Sequence, residues 1–564
     1  MQQSGNKQDP LRHESRRRFV IKLALLGSGV ALSANADSQW ERDVAEEAVA
    51  FDYGVASGDP LADRVILWTH ASLPDARAVH LRWQVAKDAG FTNLVATGST
   101  IASAATGHTV KVDALGLQAD SDYFYRFIAG QRSISPVGRT RTLPQGRVDQ
   151  VKLAVFSCSN YPAGYFHAFD AAVSSGAQFA LHLGDYIYEY ADGVFPARNV
   201  GARLWPQPGE CVSLDQYRAR YAITRSDPAL RALHARMPMI AIWDDHEFAN
   251  NSYMSGAQNH DPEKQGPWQA RKAVAAQAWQ EWLPVRMPEP DNPLKIYRSF
   301  DFGDLLSLHM LDTRIVGREV SPSRMLNRAG QDVANPDFDD ANYVRNRHML
   351  GPEQQGWLTE QMHASRATWQ VLGNQIVMAR MRFPRSVYDA DFSPDSVAAY
   401  LHAQGLPEAQ RTGAEQRLLD PEHNPQISFD VDCWEGYPDA REALFAAAAE
   451  LAPHGKKFLV LSGDSHNAWV NRLTLQGGQS IGLEFACPSV TSSGFESYIK
   501  AARSSSMAQS LKALVPDIDY VDTARRGFML VTLHHERAEC EFVYVSGVTD
   551  EAYRLGRERV SYGG

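Results

Sequence analysis

Cys158, Asp185, Tyr188, Asp245, His246, Asn374, Asp464 and His466 are side chains able to ligate a metal or move a proton, and they fall in five short polar bursts. The bursts are FSC at 156–158, GDYIYEY at 184–190, WDDHEFANN at 243–251, GNQ at 373–375 and GDSH at 463–466. Taken singly, an Asp or a His is more often a cap or a satisfied core group than a functional one. Five such bursts, each behind an apolar run, are hard to reconcile with that bland reading. A free cysteine such as Cys158 is as a class most often a small buried hydrophobe. Tyr188 alternates with Tyr186 and Tyr190, so spacing alone does not choose among the three.

The elements that must position these residues are legible around them. VKLAVF at 151–156, FALHL at 179–183, MIAI at 239–242, VL at 371–372 and KFLVLS at 457–462 are buried-strand patterns. Residues 165–176 read as a helix between the first two. Side chains at the carboxyl ends of adjacent strands converge on one place. The pattern therefore predicts an α/β fold with one site at the carboxyl edge of its sheets.

Before residue 147 the pattern changes. VHLRWQVA at 79–86, HTVKVDA at 108–114 and YFYRFIA at 123–129 alternate apolar and polar residues with turn signals between them. Short, closely spaced strands of this kind predict a β-sandwich. Trp83 and Tyr125 read as core residues of that sandwich. Pro144 and Gly146 mark a linker. A chain of 564 residues is also too long for one ordinary core.

The first 36 residues read as an address. SRRRFVIK at 15–22 places Arg16 and Arg17 before Phe19 and Val20, the apolar stretch Leu23 to Leu32 follows, and Ala34-Asn35-Ala36 offers a cleavage site. That is a twin-arginine signal layout, and the apolar stretch falls short of the roughly 20 residues that span a bilayer. The expected division is a signal peptide at 1–36, a sandwich at 37–147, a catalytic domain at 148–545 and a charged tail at 546–564 whose composition suits a helix. The chain carries a formal net charge of −10 with no basic run after residue 22, so no specific nucleic-acid partner is expected, and no stable membrane partner either. Five cysteines form no disulfide framework, and their odd number leaves at least one free or ligated.

The bursts resemble the catalytic blocks of the PhoD-type alkaline phosphatases, within the calcineurin-like metallophosphoesterases. FDYGVASGDP at 51–60, DCWEGYPDAR at 432–441, GDSHNAW at 463–469 and EFACPSVTSSG at 484–494 are similar to further family stretches. The resemblance covers roughly residues 51–545, and FSCSN at 156–160 departs slightly from the family after its cysteine. It implies an amino-terminal all-β sandwich followed by a four-layer αββα catalytic domain, while the amino-terminal address predicts export through the twin-arginine machinery to the periplasm or beyond.

The resemblance also implies the ligands, and it selects Tyr188 among the three tyrosines. One metal would see Cys158, Asp185, Tyr188 and His466. A thiolate, a carboxylate and a phenolate together favour a trivalent ion, ferric iron (Fe3+) first. The other metal would share Asp185 and add Asp245, Asn374 and Asp464, an all-oxygen set that favours calcium (Ca2+). Asn250 is a further candidate contact for a metal or for substrate. Asp244 reads as a supporting group, and Arg198 and Arg314 as candidate phosphate contacts. The reaction implied is hydrolysis of a phosphate ester by a metal-activated hydroxide or oxide attacking phosphorus, with His246 beside the leaving group. Three other readings compete: a phospholipase D-like diesterase of the same family, a non-catalytic exported binding protein and a zinc hydrolase. The last lacks a four-cysteine, two-cysteine–two-histidine or HExxH arrangement.

Overall fold

The computed structural model describes residues 48–196, 199–327, 331–340, 343, 345–497, 499 and 505–563. The expected signal peptide and Arg198 lie outside the described residues.

The alternating segments near the amino end form eight strands: β1 (Val55–Gly58), β2 (Arg64–His70), β3 (Val79–Ala86), β4 (Leu94–Ala102), β5 (Thr109–Leu115), β6 (Asp122–Ala129), β7 (Ser133–Ile134) and β8 (Gly138–Arg141). One layer runs β4-β3-β6-β7, with β8 also on β6. It packs on β1, β2 and β5 through Val65, Leu67, Leu81, Val85, Tyr123, Tyr125 and Phe127. Tyr125 is fully buried and Trp83 packs at the margin of the same cluster, so both serve this core.

The apolar runs further on give β9 (Val151–Phe156), β10 (Phe179–His182) and β11 (Met239–Ala241). A second set comprises β12 (Arg298–Phe302), β13 (Leu306–Met310), a hairpin of β14 (Arg324–Leu326) and β15 (Asp332–Ala334), and β16 (Trp369–Gly373). A second hairpin pairs β17 (Arg382–Pro384) with β18 (Gln426–Ser428). Then come β19 (Lys457–Ser462), β20 (Ala468–Thr474), β21 (Ser480–Ala486), β22 (Ile518–Asp522), β23 (Arg526–Leu533), β24 (Ala538–Val545) and β25 (Leu555–Tyr562).

Two large sheets result. The first has the order β25-β24-β23-β9-β10-β11-β1-β2-β5, and the second β12-β13-β16-β19-β21-β20-β22. Within them β9, β10 and β11 are mutually parallel, as are β13, β16, β19 and β21. Leu153, Val155, Leu181 and Ile240 of the first sheet join Phe300, Leu308, Val371, Leu459 and Phe485 of the second in one continuous apolar interior. Helices Leu214–Ser226, Pro228–Arg236 and Trp268–Trp282 cover one outer face. Helices Gly351–Ala364 and Pro438–Ala449 cover the other. The expected four-layer αββα arrangement follows from burying both faces of each sheet.

Two features depart from a string of separate modules. β1 pairs in parallel with β11 at Gly58 and Met239, so the amino-terminal sandwich shares a sheet with the catalytic region. The tail is not a helix: β25 lies antiparallel on β24 as the edge of the first sheet. Its charges alternate with the strand period rather than the helical one. Arg557 and Arg559 both reach Glu541 across the pair, at 2.5 and 3.0 Å, while Val560 and Tyr562 pack on the core. Charges on an edge strand also discourage pairing with another chain.

Candidate active site

Each of the five bursts sits where its strand stops. Five of the non-glycine residues there adopt left-handed backbone: Cys158 (φ 61°), Asp185 (φ 58°), Asn251 (φ 51°), Asp464 (φ 59°) and His466 (φ 56°). That conformation costs a non-glycine residue on the order of 1–3 kcal/mol and persists only where the surroundings impose it. Here the imposing contacts are visible. A Cβ on Gly184 would collide with Asp244, and one on Gly463 with the Ser157 side chain, so glycine is required before each aspartate for the loops to approach.

Two buried glutamates lock the loops. Glu247 accepts the backbone N–H groups of Asp185 (3.0 Å), Tyr186 (2.7 Å) and Asp244 (2.8 Å). In the second sheet Glu484 accepts those of Met378 (2.6 Å) and Ala379 (3.0 Å), the Ser462 hydroxyl and the Asn471 amide. Glu247 is therefore a scaffold residue, tying down orphan backbone donors that water cannot reach.

Cys158, Asp185 and His466 bring one donor atom each to within 4.8 Å of the others. The Tyr188 hydroxyl joins them, 3.0 Å from Asp185 Oδ2 and 3.4 Å from His466 Nε2. His466 Nδ1 bonds the Ser493 carbonyl at 2.6 Å, which leaves the Nε2 lone pair facing the cluster. Burial pulls the His466 pKa down to about 3, so the ring is neutral. Burial, then the Asp185 carboxylate, pushes both the Cys158 thiol and the Tyr188 phenol well above their usual ranges. Tyr186 is set apart, its hydroxyl 2.9 Å from His234, and Tyr190 bonds Asn250 at 2.7 Å.

Asp185 belongs equally to a second cluster with Asp244, Asp245 and Asp464. Arg314, fully buried, is threaded through it. Its guanidinium bonds Asp244 (2.5 Å), Asp432 (2.5 Å) and Asp464 (3.2 Å), and lies 3.8 Å from Asp245. Even so, Asp244 Oδ2 and Asp245 Oδ1 are buried without a hydrogen-bond partner. Burial pushes Asp185 and Asp464 well above the usual carboxylate range. Asp245 is held below it: His246 and Arg314 outweigh its burial. Carboxylates packed this densely, with orphaned oxygens, fit a bound cation, which reverses the cost of their ionisation. Asn374 is fully buried at the end of β16. Its side-chain oxygen accepts the Trp434 indole N–H at 3.2 Å, and its amide donates to Ser462 at 3.1 Å and to the Ile376 carbonyl.

His246 sits against the Tyr188 ring, centroids 4.3 Å apart, with Nδ1 2.7 Å from Glu189 Oε2. Burial alone would lower its pKa, but Asp245, Glu189 and Asp185 together hold it well above the usual imidazole range. Glu189 Oε1 takes the Asn250 backbone N–H at 2.7 Å, and the Asn250 side chain is engaged by Tyr190 and Gln258. All five cysteines are free and buried.

Sequence reasoning left Glu189, Asp432, Trp434 and Glu484 without roles. It named Arg314 only as a phosphate contact, whereas the guanidinium is spent on four carboxylates. One signal was available: LDTR at 311–314 follows β13 as the other bursts follow their strands.

The two sheets bring a buried, acid-rich cluster to the carboxyl ends of their parallel strands, a set of donors that fits metal ions. Residues 153–542 match the PhoD-like phosphatase family, and residues 35–144 match the amino-terminal domain of PhoD-like phosphatases. A curated relative, alkaline phosphatase D of Bacillus subtilis (strain 168), is 33% identical over 505 residues, covering 85% of this chain and 76% of the relative. The solved structure of PhoD superposes with a TM-score of 0.71 at 30% identity, covering 91% of this chain and 90% of the other. The chain belongs to the PhoD-like phosphatase family.

Proposed function

We propose that this phosphoesterase is an exported alkaline phosphatase that hydrolyses phosphomonoesters and phosphodiesters with a ferric ion and calcium in its active site. The observation that carries the reading is the meeting of two unlike donor sets at Asp185. Cys158, Tyr188 and His466 stand on one side of it, and Asp245 and Asp464 on the other. The first set would hold Fe3+ and the second, with Asn374, would hold Ca2+. Cations held there supply charge neutralisation for the phosphate oxygens and acidify water.

The chain's own residues do the rest. Glu189 fixes the His246 ring by its Nδ1–H, so the Nε2 proton is the one available to the leaving oxygen. Arg314 draws Asp244, Asp245 and Asp464 together and offsets part of the repulsion among them. Glu247 and Glu484 hold the loops in place before substrate arrives, which is the preorganisation that electrostatic catalysis requires. Export rests on Arg16, Arg17 and the apolar stretch behind them, which are a substrate for the twin-arginine machinery. Among the described residues no helix is long and apolar enough to cross a membrane.

The test is elemental analysis and a visible spectrum on natively purified protein, with a phosphodiester assay with and without calcium. Iron, a visible absorption band and calcium-dependent turnover are expected. Zinc, or activity in metal-free protein, would overturn the assignment of ions. The same measurements on His246→Ala should show unchanged metal content with turnover lowered about 100- to 10,000-fold. Loss of iron in that variant would make His246 a structural residue.

A further inference from the structure

The active site lies at the carboxyl ends of β10 and β11. At their other ends, where Gln178 and Pro238 lead into the two strands, the amino-terminal layer meets the catalytic sheet around a cavity of about 110 Å3. Arg139, Thr140 and Arg141 of β8, Asp122 of β6, and Arg236 at the end of helix Pro228–Arg236 line it.

Three guanidinium groups thus face one carboxylate in a chain whose net charge is −10. Asp122 is shared, 3.1 Å from Arg139 and 3.1 Å from Arg141. Arg141 is also 2.6 Å from Asp120. Arg236 has no carboxylate at ion-pairing distance among the described residues, and burial and the facing charge of Arg139 both disfavour its protonated form. Thr140 alternates to the other face of β8, opposite its cross-strand partner Tyr123 in the sandwich core, so Arg139 and Arg141 are the β8 side chains on the cavity side. Lys152 stands beside this wall, its ammonium 3.4 Å from the Ser175 carbonyl. Like charges left facing each other at a partly buried seam are costly. One oxyanion would remove that penalty. A four-oxygen anion occupies roughly the share of two waters, about 60 Å3, and fits the space. Guanidinium forks match phosphate oxygens two at a time.

We propose that this cavity is a phosphate-binding site separate from the catalytic centre, taking orthophosphate or the phosphoryl end of a small organic phosphate. Arg139 and Arg236 would clasp the anion. The competing anion is Asp122. Its removal should therefore help the ligand, whereas its removal from a purely structural ion-pair cluster would only weaken the seam.

Calorimetric titration of orthophosphate into the full-length protein tests this. The wild type should bind one equivalent more than Arg139→Gln/Arg236→Gln, or bind that equivalent at least about tenfold more tightly. Asp122→Asn should tighten it several-fold, and Arg236→Lys, which keeps the charge, should retain it. Turnover of an aryl phosphate at low phosphate should be the same in all four proteins. Methylphosphonate as a second titrant separates the sources: equal binding means that the cavity admits an organic substituent, and loss of binding means that it takes the free ion. Identical isotherms for the wild type and the double variant would overturn the proposal. So would an Asp122→Asn variant that loses the equivalent. Thermal melts of each variant distinguish lost binding from lost folding.

Discussion

The two halves of the active site share Asp185 and differ in almost everything else. On one side a thiol, a phenol and an imidazole are bonded to neutral groups, Ser157, Ser492 and Ser493. Arg526, close enough to feel the charge of Cys158, is already paired with Glu496. On the other side three aspartates surround a guanidinium that belongs to the protein itself. The consequence is electrostatic. Without an ion, burial keeps Cys158 and Tyr188 protonated, whereas Arg314 already compensates part of the charge on Asp244, Asp245 and Asp464. The first half therefore calls for a strongly charged cation to release its protons. The second half, partly neutralised from within, suits a hard divalent ion.

The most severe way to break this comparison is to remove what the halves share. Asp185→Ala should strip both ions and lower kcat/KM on an aryl phosphate by about 1,000-fold or more. Retention of either ion in that variant would show that the halves are independent. A milder pair of substitutions separates them. Cys158→Ser should abolish the visible band and iron while calcium binding survives, and Asp464→Asn should do the reverse. Each should weaken retention of its own ion by about 10- to 100-fold, read by dialysis and elemental analysis. Parallel loss of both ions in both variants would mean one cooperative cluster.

The smallest effect is on stability in the absence of ions. Burial raises the Asp244 pKa from 3.8 to about 6 and the Glu247 pKa from 4.5 to about 7. A carboxyl group whose folded pKa is raised binds its proton more tightly in the native state. Its contribution is therefore complete below the unfolded value and lost as pH rises through the folded one. Metal-free protein should melt lower at about pH 8 than at about pH 5, by up to roughly 3 kcal/mol per group. Loaded protein should show a flatter profile. Equal slopes with and without ions would detach these groups from the metal pockets.

The strand ends were legible because each apolar run is short, continuous and followed at once by polar residues. β3, for example, matches its alternating segment at 79–86 residue for residue. The tail was not legible. Its charged residues suit a helix as well as an edge strand, and the choice rests on Glu541, which comes from another strand. Glu189 lay in view within GDYIYEY, but its partner His246 is 57 residues away. Arg314 was visible as a residue and not as a role, because its four carboxylates come from three separate loops.

The sequence by itself determined which side chains end each strand, and it placed a glycine directly before Asp185 and Asp464. Only the tertiary structure decided which loops meet. Tyr188 and His466 are 278 residues apart, and they face each other because two mixed sheets stack with the carboxyl ends of their parallel strands on one side. No local pattern carries that register. It follows from burying both sheets against one core, and with it come the sharing of Asp185 and the burial of Arg314 among acids.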